Sequence, residues 1–321
     1  MSKIKIAIIG FGGQTREDHY QEIVNNQNFE LVGIVDPNQV NVEPYFSSLD
    51  ELLDSNSVEA ALVSTPHFTH YEITEKLLKS GIAVLKEKPF GMNYDEAKQL
   101  DKLAKEHTVP LLINAQRRLK QHYIDGLELL PQIGKPFLVE GVYHIYVNNP
   151  HEGWRGQKKL AGGGCIIDMG YHLIDILNLY LGLPDSVAGL ATANALPRED
   201  YDAEDTATLL IGYTNKIAGY LTFSRFSGPK NEFLKITGDS GVLTISKQEV
   251  LLTDNSGKEL QKVNASQAIT PVQHFFEVLS QKKESVLASE NHLNNMAFID
   301  AAYQAIESKS YMNPHKILEK I

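Results

Sequence analysis

Lys3-Ile4-Lys5-Ile6-Ala7-Ile8-Ile9 runs directly into Gly10-Phe11-Gly12-Gly13-Gln14-Thr15. The first run is short, β-branched and apolar, as suits a strand buried within a parallel sheet. The glycines that follow allow a tight turn whose backbone N–H groups can approach a pyrophosphate. Residues 16–24 read as a helix with its N-terminus toward that phosphate. Residues 29–35 are a second strand ending at Asp36, about 20 residues beyond the turn, where a carboxylate can hold ribose hydroxyls. The usual third glycine is absent and Thr15 takes its place. The turn is therefore expected to be shaped differently, with Gly13 relieving the crowding one step early. Strand–glycine–helix turns also occur in sheets that bind no nucleotide. The flanking strand, helix and acid are what make this one a dinucleotide site.

The alternation continues downstream. A helical piece over 49–53, a strand over 59–64, a turn over 65–70 and a helix over 71–79 precede Gly81. A strand over 82–85 leads into Lys86-Glu87-Lys88-Pro89-Phe90-Gly91, then a helix from about 94 to 106 and a strand over 109–113. After about residue 118 strand follows strand: 136–147, 186–196, 206–213, 217–226, 233–237 and 242–245. Short turns between them predict a mainly antiparallel sheet, one face covered by helices around 120–131 and 168–181. Helices over 271–281 and 293–308 finish the chain. The expected fold is an α/β Rossmann domain with a doubly wound parallel sheet over 1–118. An α+β domain with a large, mainly antiparallel sheet follows over 119–321.

With 42% hydrophobic and 22% charged residues, the 321-residue chain has the composition of an ordinary globular protein. A formal net charge of −10 argues against nucleic acid or an anionic membrane as partner. Met1-Ser2-Lys3 leaves no room for a signal peptide before the first strand, and no apolar run reaches membrane-spanning length. A cytoplasmic location is the expectation. One cysteine, Cys165, excludes an internal disulfide framework and a cysteine zinc site. His67 and His70 stand at helical spacing, but no further ligand cluster accompanies them, so no metal is expected.

Gly162-Gly163-Gly164-Cys165-Ile166-Ile167-Asp168-Met169-Gly170-Tyr171-His172 is the second informative stretch. If it is helical, Asp168 and His172 lie one above the other on one face. A histidine oriented by a carboxylate suits proton transfer near neutral pH. The plain alternative is a helix N-terminus in which the dipole favours Asp168. Lys88 ends a buried strand, and strand ends of an open α/β sheet face the ligand crevice.

Taken in order, Gly10-Phe11-Gly12, Asp36, Ser64-Thr65-Pro66 with His70, Glu87-Lys88-Pro89, and Gly163-Gly164 with Asp168 and His172 resemble the glucose–fructose oxidoreductase/inositol dehydrogenase (Gfo/Idh/MocA) family along nearly the whole chain. The resemblance implies an NAD(P)-dependent oxidoreductase acting on a secondary alcohol, or the matching ketone, of a sugar, polyol or related small molecule. It implies catalytic roles for Lys88, Asp168 and His172. It places Gly10, Phe11, Gly12, Gly13, Gln14, Thr15, Arg16, Asp36, Thr65, Pro66, His70, Glu87 and Lys88 about the cofactor. Of Arg117 and Arg118, one is expected at the site and the other in a surface salt bridge; Arg117 is the choice. Trp154 and Arg155 would suit a sugar ring, or anchor a loop. NAD is expected over NADP, because Asp36 would repel a 2′-phosphate. Family members commonly associate through the large sheet, implying a homodimer or homotetramer. Two other readings stay open: a non-catalytic NAD(P)-binding sensor, and a redox-assisted glycoside hydrolase that retains its NAD.

Overall fold

Strands β1 (Ile4–Ile9), β2 (Phe29–Val35), β3 (Tyr45–Phe46), β4 (Ala60–Val63), β5 (Ala83–Glu87) and β6 (Leu111–Asn114) form one sheet. Every pairing in it is parallel, in the order β3-β2-β1-β4-β5-β6. This is the doubly wound Rossmann order, with the strand order reversing beside β1. The central strands read as continuous apolar runs because helices cover both faces: Ala60 to Val63 and Leu111 to Ile113 are all buried. The chain is described by a computed structural model over residues 2–55, 57–196, 199–266 and 269–319.

The eight strands of the second sheet are β7 (Pro136–Tyr146), β8 (Ser186–Thr192), β9 (Thr206–Gly212), β10 (Ala218–Ser224), β11 (Phe226–Gly238), β12 (Val242–Ser246), β13 (Glu249–Thr253) and β14 (Glu259–Asn264). Their order is β14-β13-β12-β11-β7-β10-β9-β8. Only the β7–β10 pairing is parallel; the others among these strands are antiparallel. One face is apolar, with Val139, Leu209, Leu221, Phe223, Leu234 and Leu243 buried. The helices Gln121–Leu129, Gly170–Leu181 and Leu293–Ser308 pack on its strands.

The chain forms two compact units: Met1–Gly91 with Asp95–Gln116 and Ile269–His292, and Met92–Tyr94 with Arg117–Ala268 and Leu293–Ile321. In the first unit the late segment returns to the edge of the parallel sheet. There Ile113 N–H donates to the Leu287 carbonyl at 2.8 Å, and Thr270 caps the helix Pro271–Gln281. No helix among the described residues is long and apolar enough to cross a membrane.

Several local expectations change. The helix expected over 71–79 begins four residues earlier, at His67, because Pro66 with its extended ψ supplies the entry. The helix expected from 168 begins at Gly170. The run 217–226 breaks at Arg225, where the chain crosses from one side of β7 to the other. Strands β3, β13 and β14 carry no strong apolar alternation and were not expected; β14 is almost wholly exposed.

Candidate active site

The first unit builds a turn around Gly10, whose φ of +93° suits glycine. A methyl group there would fall 2.3 Å from the Ser64 carbonyl, so loop and β4 end can meet only without one. Thr15 explains the missing third glycine. Its side chain is buried, and its hydroxyl donates to the Gly10 carbonyl at 2.8 Å, tying the start of the turn to the start of the helix. The helix opens with a π-helical turn over Thr15–His19 before the α-helix Tyr20–Asn25. Asp36 locks the other side, accepting from Phe11 N–H and Asn38 N–H, both at 2.9 Å. A carboxylate has about four acceptor positions, so it keeps capacity for hydroxyls. A side chain built on Gly12 would meet nothing, and one on Gly13 would come no nearer than 4.0 Å to Glu17. That open, N–H-lined turn held by an acid fits a dinucleotide. Gln14 is drawn to Asp18, and Arg16 N–H donates back to Gly12.

Glu87 ends β5 and takes two donors on one oxygen: His19 Nε2 at 2.7 Å and Asn114 Nδ2 at 2.6 Å. It thereby joins the ends of β5 and β6 to the π-helical turn. Burial pulls the proton affinity of His19 down, but the hydrogen bond and charge of Glu87 outweigh it and raise its pKa above the ordinary value. Lys88 follows at the strand end. One residue earlier, Lys86 is fully buried, with Nζ donating to the Phe90 carbonyl at 2.5 Å across the turn that carries Lys88. Burial lowers its pKa to about 7. His70 is buried and donates from Nε2 to the Thr65 carbonyl at 2.8 Å. Burial, then repulsion from Lys86 and His67, hold it well below the usual histidine range, so it is neutral. It fixes the backbone at Thr65-Pro66.

In the second unit the three glycines admit protein. A methyl on Gly163 would lie 1.9 Å from the Tyr303 hydroxyl, and one on Gly164 2.0 Å from the Glu204 carbonyl. Glu204 then gathers the segment: its carbonyl accepts from Cys165 N–H at 2.7 Å, and its Oε1 from Ile166 N–H and the Tyr303 hydroxyl. Asp168 lies in the turn before the helix, its N–H donating to the Gly164 carbonyl at 3.1 Å. What orients Asp168 is Arg225, whose guanidinium meets its Oδ2 at 2.9 Å. Arg225 is itself buried and pinned through its own N–H to the Asp205 carbonyl. His172 sits in the first turn of Gly170–Leu181, partly exposed.

Arg117 is buried and ion-paired to Glu232. Arg118 does form a salt bridge, but a buried one rather than a surface one: it binds both oxygens of Asp175, which is 1% exposed. Asp175 comes from the helix below, so the second arginine is part of the core. Trp154 and Arg155 stack on each other, guanidinium 4.4 Å from the ring centre, in the turn Gly153–Gly156.

Comparison with known families bears on these two half-sites. The family described as oxidoreductase family, NAD-binding Rossmann fold, matches residues 4–115, and the GFO/IDH/MocA C-terminal domain matches 131–244. The chain belongs to the Gfo/Idh/MocA oxidoreductase family. An uncharacterised oxidoreductase of Schizosaccharomyces pombe is 28% identical over 66% of this chain and 61% of its own length. The glucose-6-phosphate 3-dehydrogenase of Bacillus subtilis is 27% identical over 71% of this chain and 69% of its own. Several curated relatives are matched over only 47% to 61% of their length. A solved oxidoreductase of Thermotoga maritima superposes with a TM-score of 0.86 at 22% identity, covering 98% of this chain and 100% of that one, which shows the shared fold.

Sequence reasoning passed over Lys86, His19, Glu204 and Arg225. Lys86 had a signal, a lysine directly after the apolar run Ala83-Val84-Leu85. Arg225 had none, since its partner lies 57 residues away.

Proposed function

We propose that the chain is an NAD(P)-dependent dehydrogenase or reductase acting on a secondary alcohol or ketone of a sugar, polyol or related small molecule. The observation that carries this reading is the open, acid-locked dinucleotide turn in a chain of this oxidoreductase family; the chemistry is assigned to Lys88, Asp168 and His172. The B. subtilis relative, named as a sugar-phosphate dehydrogenase, supports the substrate class. The proposed division of labour gives residues 1–118 the dinucleotide and 119–321 the substrate.

In the proposed reaction the substrate C–H bond breaks with its electron pair, and the hydroxyl proton leaves for His172. The nicotinamide, when bound, supplies the hydride acceptor. Gly10, Phe11, Gly12, Gly13, Thr15 and Asp36 would hold the dinucleotide, with Thr65 and Pro66 lining it. Lys88 donates a hydrogen bond to the substrate oxygen and stabilises developing alkoxide charge. Asp168 holds substrate and histidine in register, and Arg225 holds Asp168. The retention of one site acid at Asp36, with no cation in Pro37-Asn38-Gln39-Val40, supports NAD over NADP.

A panel of sugars, inositols and sugar acids, followed by absorbance of the reduced nicotinamide with NAD and with NADP, tests the reading. Turnover with NAD on a member of the panel is the expected result. Silence across the panel in both directions removes the dehydrogenase assignment, and equal or better affinity for NADP removes the role given to Asp36.

A further inference from the structure

Lysine is an unfavourable residue for the place that Lys86 occupies. Strand β5 lies between β4 and β6, and Lys86 stands in register with Val63 on one side and Ile113 on the other. All three are fully buried. An ammonium withdrawn from water is destabilising there, and an apolar side chain of similar length would fill the same space without that penalty. Local rules are broken in this way mainly where function requires it. What the lysine does that a methionine cannot is donate a hydrogen bond.

Its Nζ donates to the Phe90 carbonyl at 2.5 Å and stands 5.8 Å from the centre of the Phe90 ring. Phe90 is itself fully buried, so the acceptor belongs to a fixed part of the chain. The side chain of Lys86 thus spans Glu87-Lys88-Pro89 and closes the turn from its far end. The near end is held as well, because Glu87 accepts from His19 Nε2 at 2.7 Å and from Asn114 Nδ2 at 2.6 Å. Lys88 lies between these two tethers. A lysine carries its charge on a flexible four-carbon stem, so it aims reproducibly only from a backbone that does not move. A misplacement of about 1 Å at a reacting group can lower a rate roughly a hundredfold. Burial brings the pKa of Lys86 to about 7, yet its nitrogen keeps N–H groups to donate in either protonation state. The tie therefore survives the titration of the group that makes it.

We propose that Lys86 is a positioning residue for Lys88, fixing through the Phe90 carbonyl the turn from which Lys88 reaches the substrate oxygen. What Lys88 does to substrate rests on the dehydrogenase reading above; the tie itself does not.

Stability and activity should move in opposite directions when Lys86 is changed. Lys86→Met removes the buried charge and the tether together. At pH 7 it should melt at or above the wild-type temperature and bind NADH with nearly unchanged affinity. Its turnover on a substrate found in the sugar panel should fall about tenfold or more, with KM changed less, because reacting geometry is lost while ground-state contacts remain. Lys86→Gln keeps an N–H donor on a shorter, uncharged side chain and should recover part of the rate. A second measurement needs no turnover: limiting acetic anhydride followed by peptide mass mapping gives the labelling rate of each amine. The rate at Lys88 should change severalfold in Lys86→Met, while the exposed Lys102 and Lys216 react as in wild type. Wild-type turnover in Lys86→Met overturns the proposal, as does an unchanged labelling rate at Lys88. A melting temperature that falls together with turnover in both variants also overturns it, leaving Lys86 as part of the core alone. Altered Lys88 labelling in a protein that turns over no member of the panel would instead sink the dehydrogenase reading and leave the tether standing.

Discussion

The ammonium of Lys86 is sealed inside a parallel strand, and its chemistry follows from that burial. In the unfolded chain a lysine titrates near 10.5, whereas here burial brings it to about 7. Between those values the unfolded chain holds a proton that the folded chain has released, so stability rises with pH across that window. Other groups titrate in this range. Lys120, lowered by burial, acts in the same sense, while His19, where Glu87 outweighs burial and raises the pKa, and above about 9 the buried Cys165 act in the opposite sense. The share of Lys86 is therefore the difference in slope between wild type and Lys86→Met. Denaturant melts should show the protein gaining roughly 1–3 kcal/mol from pH 7 to pH 9. Lys86→Met should be more stable than wild type at pH 7 and lose most of that slope; an identical slope in both proteins would mean that Lys86 is not the titrating group. Lys88, two residues on, is expected to act on chemistry directly. His172→Ala should lower turnover by roughly a hundredfold or more, the range for a lost acid/base, with NAD affinity nearly unchanged. Lys88→Ala should cut turnover and also weaken substrate binding through the missing charge. A His172→Ala enzyme with normal turnover takes this histidine out of the mechanism.

At the scale of elements, the segment 162–172 depends on neighbours far away in sequence. Glu204 fixes its backbone, and Arg225, at the crossover between β10 and β11, fixes its acid. Arg225→Met should therefore lower turnover about tenfold or more, the loss of a charge-assisted contact, while NAD affinity holds. Arg225→Lys should recover part of it, since an ammonium keeps the charge but not the planar fork. Equal losses in both variants, together with a drop in melting temperature, would reduce Arg225 to a structural role. The parallel sheet was legible because its signals are local: apolar runs, glycine turns and Asp36 lie within one or two elements of each other. The same holds for Lys88 at a strand end. Thr15 read as a defect in the fingerprint, and only the hydroxyl reaching back to Gly10 shows it as a substitute tie. Strand β14 was missed because it is almost wholly exposed, and β13 because Leu251 on its outward side is as apolar as the buried Val250 and Leu252, which hides the alternation in the sequence. The pairs Arg225–Asp168 and Arg118–Asp175 are long-range ion pairs, invisible to any pattern of spacing.

For the whole molecule, the open question in the fold is the second sheet's outer face. Register places Leu190 beside Thr208, Leu210 beside Tyr220, and Tyr220 beside Glu140, all on the side opposite the buried Leu209, Leu221 and Val139. Leu190 is 77% exposed and Leu210 50%. Leucines in neighbouring strands, mixed with threonine, tyrosine and the Glu140–Lys235 ion pair, make a surface both apolar and able to pair specifically. An antiparallel sheet can leave one face to water, but neighbouring exposed leucines on that face are the kind of apolar patch that marks an interaction site. A self-complementary contact across a two-fold axis is the simplest way for one chain to cover such a patch. The expected state is a homodimer or homotetramer formed through β7 to β10. Light scattering at micromolar concentration should give a multiple of the 35.8 kDa chain mass. Leu210→Asp, placing a charge at the centre of the face, should shift the population to monomer while leaving the melt of the parallel-sheet unit in place. A wild-type monomer at that concentration would leave the exposed leucines as ordinary surface, and an oligomer untouched by Leu210→Asp would move the interface to another face.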